Sequence, residues 1–496
     1  MRAEKAVESV RHRYADSVIA ATLFALILGV EGTFFHPGMW NQNARLAATV
    51  AFVEPGTPYT GTFRINGLKD GTRLPTADWA QSRGFFYSNK APGVSLLGIV
   101  PYFLLYHLER FAGSDPTMVE WTSINVFALN LWISVFWNVV AALALFRTLP
   151  RLGVHSARGA AVIATVYSFA TVVLPFGCSE WGHSTAAAFI TIGTLDLADG
   201  SRDRSVRAGL WLGMAVLTEY LAAVSLVAGA VFLLSGDGRS ARLGRFAIGA
   251  ALPLAALLVY QKFSFGSYFT TAPSLSNPIF LQPGKIAGLF SLPSPERLFR
   301  LLFGLERGMF WQMPILILCV PGAVWWYRSG RRAFPTLALA TIVLYALSIS
   351  AMEMFQGGRT TSMRYMISAL PFFCLLLPDI EAFPYRRLFF LLFAVSAANC
   401  FVLAATSTMY ESEFPLSQFA YPDFWKGNVA FNPLLARIGV RGIVPAFALA
   451  AIYAGGLDWL LRSVLMGRSW PDRFRLEPTS APAGAPHPLT RLAPPP

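Results

Sequence analysis

The chain has too few charged residues for a soluble protein of its size. Of its 496 residues, 14% are charged and 54% are hydrophobic, and the mean hydropathy is +0.49. Soluble domains carry about 25% charged residues, which cover their surface. The shortage excludes a soluble globular protein and predicts an all-α, polytopic membrane protein.

Cysteine is also scarce, and its spacing excludes a zinc finger or a disulfide framework. There is no CxxC pair, and three of the four cysteines lie in apolar runs, where cysteine packs as a small apolar residue. The four are Cys178, Cys319, Cys374 and Cys400. The residues therefore predict no metal site, and no cofactor is assigned; a divalent cation that assists a reaction stays open.

The net charge of +13 does not indicate a nucleic-acid partner. The arginines stand in short clusters between apolar runs, as in the cytoplasmic loops of membrane proteins under the positive-inside rule. A nucleic-acid site would instead need a basic patch or stripe on one folded surface. The expected partners are membrane lipids, and the oligomeric state stays open.

Apolar runs long enough to cross a bilayer as a helix recur along the chain. We predict spans at 17–35, 121–147, 158–177, 183–198, 246–262, 309–327, 333–352, 365–381, 388–407 and 442–463. Two further apolar stretches are ambiguous. Residues 93–112 contain Pro101 and end in charged residues, and residues 208–235 are long for one span and contain Glu219.

The connectors between the spans resolve both stretches. Arginine-rich connectors should alternate with arginine-poor ones across the membrane. They alternate only if 93–112 does not cross and if 208–235 is two short helices that meet near Glu219. The arginine-rich connectors are 147–158, 202–207, 239–245, 328–332 and 386–387, and the arginine-poor ones are 178–183, 263–306, 353–364 and 408–438.

This arrangement predicts about twelve crossing helices in a transmembrane domain at 17–463. Residues 1–16 are then cytoplasmic, residues 36–120 form the first extracytoplasmic loop, and the Pro-rich tail at 464–496 is disordered and cytoplasmic. In the alternative, 93–112 crosses and 208–235 is one long tilted helix. Two arginine clusters would then lie outside.

Two helices are expected beside the membrane in the first loop. Residues 93–112 would lie on or dip into the outer surface. Residues 41–53 form a second candidate, because Leu46, Val50 and Val53 recur at helical spacing while Arg45 and the amides occupy another side. Pro55 follows and would stop this helix.

Polar groups near bilayer depth in a membrane protein are candidates for function. A transfer from a phosphate-linked sugar needs a carboxylate to accept a proton and cations to stabilise the leaving phosphate. Asp78 in PTADWA suits the first role, and Lys90 in YSNKAPG suits a phosphate contact. An ordered surface loop is an equally good interpretation of these turn-rich motifs.

Later outer connectors contain further candidates. Glu180 and His183 flank a Gly-rich junction and could contact a sugar, although solvated interface residues are the commoner case; their spacing matches no metal motif. Glu219 interrupts an apolar stretch and needs a partner or a helix end, because an unpaired buried carboxylate is costly. Arg307, Arg359 and Arg364 suit an anion, since positive charge is unusual on this side.

Short motifs along residues 17–380 occur in the order and spacing of a known group. They are Asn43-Ala44-Arg45, Thr76-Ala77-Asp78, Tyr87-Ser88-Asn89-Lys90-Ala91-Pro92-Gly93, Gly182-His183, Glu219-Tyr220, Arg307-Gly308-Met309-Phe310, Gly357-Gly358 and Arg364-Tyr365. Together they resemble the GT-C class of membrane glycosyltransferases, in the superfamily of protein mannosyltransferases and aminoarabinose (ArnT-like) transferases. The resemblance adds Tyr365 to the predicted substrate-binding residues.

The resemblance implies a GT-C-like helical bundle, a polyprenyl-phosphate-linked sugar donor and inverting transfer on the outer face of the plasma (inner) membrane. It also implies a catalytic aspartate in the first loop. The family places an acidic pair after the first span, but this chain has only Asn41, Gln42 and Asn43 there, and amides cannot act as bases. Asn89 likewise replaces a family aspartate. Asp78 is therefore the predicted catalytic carboxylate, and Glu54 is the second candidate.

We therefore expect a membrane glycosyltransferase that moves a sugar to an extracytoplasmic lipid, glycan or protein. Two alternatives remain at this point. The missing acidic pair favours a non-catalytic protein that keeps the fold. A transporter or flippase of lipid-linked sugars would need charged groups at mid-bilayer on several helices, and Glu219 is the single hint of this.

Overall fold

The structure is a computed structural model that describes residues 2–55, 60–153, 155–199, 202–234, 238–286, 288–330, 332–410 and 414–466. These residues form a mostly helical bundle, because a helix satisfies its own backbone hydrogen bonds in an apolar surrounding. The predicted disordered tail beyond residue 466 lies outside the described residues.

Twenty α-helices are described, and several are joined by short 3₁₀ or π turns. They are α1 (Arg2–Thr33), α2 (Trp40–Val53), α3 (Gly93–Phe111), α4 (Val119–Asn130), α5 (Phe136–Thr148), α6 (Ala157–Phe169), α7 (Val173–Gly177), α8 (His183–Asp199), α9 (Arg202–Thr218), α10 (Ala223–Leu233), α11 (Arg239–Phe265), α12 (Pro295–Phe303), α13 (Met309–Gln312), α14 (Cys319–Arg328), α15 (Ala333–Ser350), α16 (Leu370–Leu375), α17 (Arg386–Ala405), α18 (Tyr421–Lys426), α19 (Pro433–Arg437) and α20 (Ile443–Met466).

Six of the described helices are long and apolar enough to cross a membrane. They cover Asp16–Thr33, Val119–Leu152, Arg239–Phe265, Ala333–Ser350, Arg386–Ala405 and Ile443–Arg462. Several other predicted spans are broken into shorter pieces. The run at 158–177 divides into α6 and α7, and the run at 309–327 is interrupted at Pro314, where a 3₁₀ turn begins. The multi-pass character is confirmed, and the count of about twelve stays a prediction.

One of the two ambiguous stretches, 208–235, is divided as predicted, and the prediction that 93–112 does not cross stays a prediction. Helix α9 ends at Thr218, Glu219 has an extended backbone, and a 3₁₀ turn leads into α10. The break therefore falls where the buried carboxylate predicted it. Helix α3 is a separate helix of the first loop and is not among the six candidate spans.

The first loop also contains a β-hairpin, which the all-α prediction omitted. Strand β1 (Trp79–Ser82) pairs antiparallel with β2 (Phe85–Ser88), with Trp79 opposite Ser88. Arg83 and Gly84 form the turn with φ of 54° and 80°, the left-handed pair that a two-residue hairpin requires. Strands of four residues are too short to show a readable alternation of polar and apolar residues.

Helix α2 was predicted to lie at the membrane surface, and this is wrong. Nearly all of its side chains are buried, including the amides of Asn41, Gln42 and Asn43. The amides are tolerated because they have partners: Gln42 donates to Ser179 at 3.3 Å, and Asn43 donates to the carbonyl of Pro75 at 2.9 Å. The polar side of this helix therefore faces protein.

Connectors of the same predicted set contact one another. In the arginine-rich set, Arg158 pairs with Glu381 at 2.8 Å, and Arg245 pairs with Asp203 at 3.2 Å. On the arginine-poor side, the amide of His36 donates to the carbonyl of Cys178, and the amide of Thr361 donates to the carbonyl of Thr408. These contacts agree with the predicted division of the connectors into two sets.

Candidate active site

A cavity of about 350 Å³ lies among the arginine-poor connectors. Residues far apart in sequence contribute to it because the hairpin, the helix break at Glu219 and the connectors after α11 and α15 converge there. Its charged and polar lining includes Asn41, Arg45, Asp78, Asn89, Lys90, His183, Glu219, Glu353, Arg364 and Tyr365. The cavity therefore combines several cations and carboxylates in one partly enclosed space.

The hairpin places the two predicted first-loop residues side by side. Asp78 directly precedes β1 and Lys90 follows β2 by two residues, so pairing of the strands brings them together. The Lys90 Nζ lies 3.1 Å from Asp78 Oδ2. Thr76 orients the aspartate, since its Oγ1 accepts from the Asp78 amide at 3.0 Å and donates to the Trp40 carbonyl at 2.7 Å.

Glu219 is held at the helix break by Arg45 and His183. The Arg45 guanidinium donates to Glu219 Oε1 and, at 3.4 Å, to the carbonyl of Thr218. His183 Nδ1 lies 3.5 Å from the same carboxylate oxygen. A Cβ on Gly182 would lie 2.7 Å from the Arg45 guanidinium, so this turn has room for glycine alone. Arg45 was not among the predicted site residues, although it stands in a quoted motif.

Arg364 and Tyr365 form an aromatic and cationic wall. The Arg364 guanidinium lies 4.9 Å from the ring centre of Trp181 and 5.1 Å from that of Tyr365. The Tyr365 ring meets His183 edge to face at 5.7 Å. Stacking on aromatic faces holds the guanidinium in one plane, which suits it to bind a phosphate with two parallel hydrogen bonds.

Glu353 is a third cavity carboxylate, and sequence reasoning did not select it. Lys285 lies 2.9 Å from one of its oxygens and Arg297 lies 2.8 Å from the other. Hydrogen bonds from Lys285, Ser291 and Arg297 lower its pKa to about 2. Its position just after a predicted span, in an arginine-poor connector, is a sequence signal that could have found it.

Four predicted site residues lie outside the cavity lining. Glu54 accepts two hydrogen bonds from Arg73, at 2.7 and 2.8 Å, and one from Tyr102. Glu180 is buried, and this desolvation raises its pKa to about 8 against a smaller opposing effect of Arg45. Arg307 donates to the carbonyl of Gly358 at 2.7 Å. Arg359 follows Gly358 directly and is exposed.

The carboxylates of the cavity are paired with cationic side chains. Within the described part of the chain, no group of three or more His, Cys, Asp and Glu side chains is placed to hold an ion. Asp78 and Glu219 are each already paired with a cationic side chain. Arginine and lysine are therefore the source of positive charge that this cavity offers to an anion.

Comparison with known proteins agrees with the class that the motifs indicate. Residues 118–352 match the model of Glycosyltransferase family 87. The predicted resemblance to membrane glycosyltransferases is thereby confirmed. The search of curated proteins found no match.

Two solved structures of membrane proteins also match. ArnT from Cupriavidus metallidurans, bound to undecaprenyl phosphate, is 16% identical over 90% of this chain and 76% of that chain, with a TM-score of 0.49. The oligosaccharyltransferase AglB from Archaeoglobus fulgidus, in complex with an inhibitory peptide and a dolichol-phosphate, is 15% identical over 79% of this chain and 55% of that chain, with a TM-score of 0.39.

Proposed function

We propose that the chain moves a sugar from a polyprenyl-phosphate donor to a lipid, glycan or protein acceptor on the extracytoplasmic side of the plasma membrane. The observation that carries this proposal is the cavity itself. It holds a carboxylate, Asp78, among three cations, Lys90, Arg45 and Arg364, at the bundle end away from the arginine-rich connectors. The match to a glycosyltransferase family supports the reaction class.

Asp78 is the cavity carboxylate with the fewest cationic partners. Glu219 contacts both Arg45 and His183, and Glu353 contacts both Lys285 and Arg297. Asp78 has one cationic neighbour, Lys90. Each such contact occupies carboxylate lone pairs that a new proton would need. Asp78 is therefore the most available of the three carboxylates to an acceptor hydroxyl.

The proposed step is a single displacement at the anomeric carbon. The acceptor oxygen forms a bond to that carbon while the bond to the phosphate oxygen breaks, which inverts the configuration. Asp78 takes the acceptor proton. Lys90, Arg364 and Arg45 stabilise the negative charge on the departing polyprenyl phosphate. The products are a glycoside, the free polyprenyl phosphate and a protonated Asp78.

Other cavity residues suit the sugar and the placement of the cations. Tyr365 and His183 present aromatic faces and hydrogen-bonding groups to the space beside Arg364. Glu219 holds the Arg45 guanidinium in place across the helix break. Tyr365, His183 and Glu219 therefore have binding or positioning roles, and Asp78 accepts the proton.

Reconstituted protein and a labelled polyprenyl-phosphate sugar test the proposal. Asp78→Asn keeps the shape of the side chain but removes the base, so transfer should fall by about 10²–10⁴-fold. The matched control is Asp70→Asn, because Asp70 is an exposed acid of the same loop. Undiminished transfer by Asp78→Asn would remove Asp78 from the mechanism.

The wild-type protein separates the alternatives in the same preparation. Transfer of the label to an acceptor supports the enzyme. Movement of intact labelled lipid across liposomes without transfer would support a flippase instead. Binding of the lipid with neither activity would indicate a non-catalytic protein that keeps the fold.

A further inference from the structure

The connector after α11 is unusually apolar on its exposed side. We call residues 266–286 and 288–308 the cap segment; it lies between α11 and α13 and outside the six candidate spans. Phe269 is 85% exposed and Leu292 is 84% exposed. The other large exposed apolar residues here are Tyr268, Ile279, Ile286, Phe299, Phe303 and Leu305. Exposed apolar surface of this extent marks an interaction site.

The part of the first loop that contains the hairpin, residues 60–92, shows the opposite pattern. Among its described residues 60–92, no large apolar side chain is exposed. Ile65 and Leu74 are buried, while polar residues such as Asp70 face outward. Both segments border the same cavity. The difference in exposed apolar side chains therefore indicates that the two segments face different surroundings.

Helix α12 shows the contrast within one element. Leu301 is buried, and Leu298 and Leu302 pack against the core. Phe299 and Phe303 lie one turn apart on the exposed side, where a helix on a water-facing surface would carry polar residues. The outer side of α12 therefore carries two exposed phenylalanines next to the charged Glu296 at the start of the helix.

Cations border this apolar surface. Lys262 lies at the end of α11 with its ammonium 5.3 Å from the ring centre of Tyr268. Lys285 and Arg300 lie within the cap segment and keep part of their side chains exposed. Large apolar side chains alternating with lysine and arginine are typical of segments at the boundary between headgroups and hydrocarbon.

The inner side of the cap segment forms part of the cavity. Thr271, Ser274, Ser276 and Phe290 line it. The amide of Asn277 donates to the Trp79 carbonyl at 2.9 Å, which joins the segment to the hairpin next to Asp78. One face of the segment thus bounds the cavity while the other face is apolar.

We propose that the exposed face of the cap segment is inserted in the membrane leaflet on the cavity side, with its large apolar residues in the hydrocarbon boundary. The partner is the bilayer lipid, and the bordering cations meet its headgroups. As a consequence, the cavity adjoins lipid, and a lipid-borne substrate reaches Asp78 without leaving the leaflet. This consequence rests on the proposed function, whereas the insertion does not.

Spin labels on the full chain in liposomes test the insertion. Labels are attached at Phe269→Cys and Leu292→Cys, and Asp70→Cys serves as the matched site in the first loop; the native cysteines are buried. Collisions with oxygen, which concentrates in hydrocarbon, are compared with collisions with a water-soluble nickel chelate. We expect the oxygen-to-nickel ratio at 269 and 292 to be severalfold higher than at 70.

The other outcomes would overturn the insertion. Nickel accessibility at 269 and 292 equal to that at 70 means that the cap segment faces water. Exclusion of both probes from 269 and 292 means that protein, a partner or a second copy, covers this face. Since none of these readouts requires sugar transfer, failure of the insertion and failure of the proposed reaction are distinguishable.

Discussion

Two acids of the first loop, Asp78 and Glu54, have different surroundings although the sequence offered both as catalytic candidates. Asp78 lines the cavity beside Lys90. Glu54 is buried under two hydrogen bonds from Arg73 and one from Tyr102. Both oxygens of the Glu54 carboxylate accept hydrogen bonds within the loop, which stabilises the loop. The side chain does not line the cavity in which a substrate would bind.

Glu54 is therefore expected to stabilise the protein and not to catalyse. Arg73→Met should destabilise the protein by about 3–5 kcal/mol, because it leaves a buried carboxylate without its cation. The double variant Glu54→Gln with Arg73→Met should be less destabilised, since no unpaired charge remains. Thermal unfolding in detergent measures both. Full stability of Glu54→Gln with lost sugar transfer would return Glu54 to the catalytic role.

Glu180 should make stability depend on pH. Burial raises its pKa from 4.5 to about 8, so the folded state holds a proton that the unfolded state has released between these values. Its contribution to stability is full below pH 4.5 and is lost as the pH rises through about 8. Glu180→Gln should flatten the fall in melting temperature over this window.

An exposed acid supplies the control for the Glu180 measurement. Glu120→Gln, at the start of α4, should leave the pH dependence as in the wild type. An unchanged slope in Glu180→Gln would show that another group accounts for it.

Helix ends and tight turns bring the site together. The break between α9 and α10 exposes Glu219 to Arg45, and the Gly182 turn gives these side chains room. The start of α3 packs directly on the end of α9 at Gly93. Small residues at these junctions let backbones approach closely, and larger ones would separate the pieces of the site.

Gly93→Ala should therefore impair both stability and transfer. The added Cβ would lie 2.7 Å from backbone atoms of Leu217 and Thr218, and overpacking of this kind costs about 1–3 kcal/mol. Moving α3 would also shift Lys90 and the break at Glu219. Melting temperature and transfer rate are the measurements.

Gly67→Ala is the matched control, because nothing lies within 4 Å of its added Cβ. It should leave the melting temperature and the transfer rate close to those of the wild type. Equal behaviour of the two variants would mean that the α3–α9 contact does not position the site.

The whole molecule has two chemically distinct ends. Arginine-rich connectors form ion pairs at one end, and the cavity and the cap segment occupy the other. From the positive-inside rule we expect the first end to be cytoplasmic and the second to face outward. The direction of the proposed transfer depends on this orientation.

Cysteine labelling in intact cells tests the orientation. Asp70→Cys in the first loop should react with a membrane-impermeant maleimide from outside, whereas Asp203→Cys, in a fully exposed position at the arginine-rich end, should react only after permeabilisation. The buried native cysteines give little background. The reverse pattern would place the cavity in the cytoplasm and contradict an extracytoplasmic reaction.

The sequence alone could not distinguish the predicted residues that line the cavity from those that lie outside it. Asp78, Lys90, His183 and Glu219 line the cavity, and so do Arg364 and Tyr365. Glu180 and Arg307 were chosen on the same ground, as polar residues in arginine-poor connectors, yet they lie outside its lining. Proximity to a helix end is a local property, while facing a common space depends on the packing of distant segments.

By itself the sequence determined the membrane class, the sorting of connectors into two groups and the helix break at Glu219. These follow from composition, the length of apolar runs and the cost of burying a charge, all of which are local. Tertiary structure alone decided that Arg45 pairs with Glu219, 174 residues away, that a hairpin joins Asp78 to Lys90, and that Glu54 is held elsewhere. Such pairings depend on how helices and loops pack. The periodicity of the sequence therefore does not predict them.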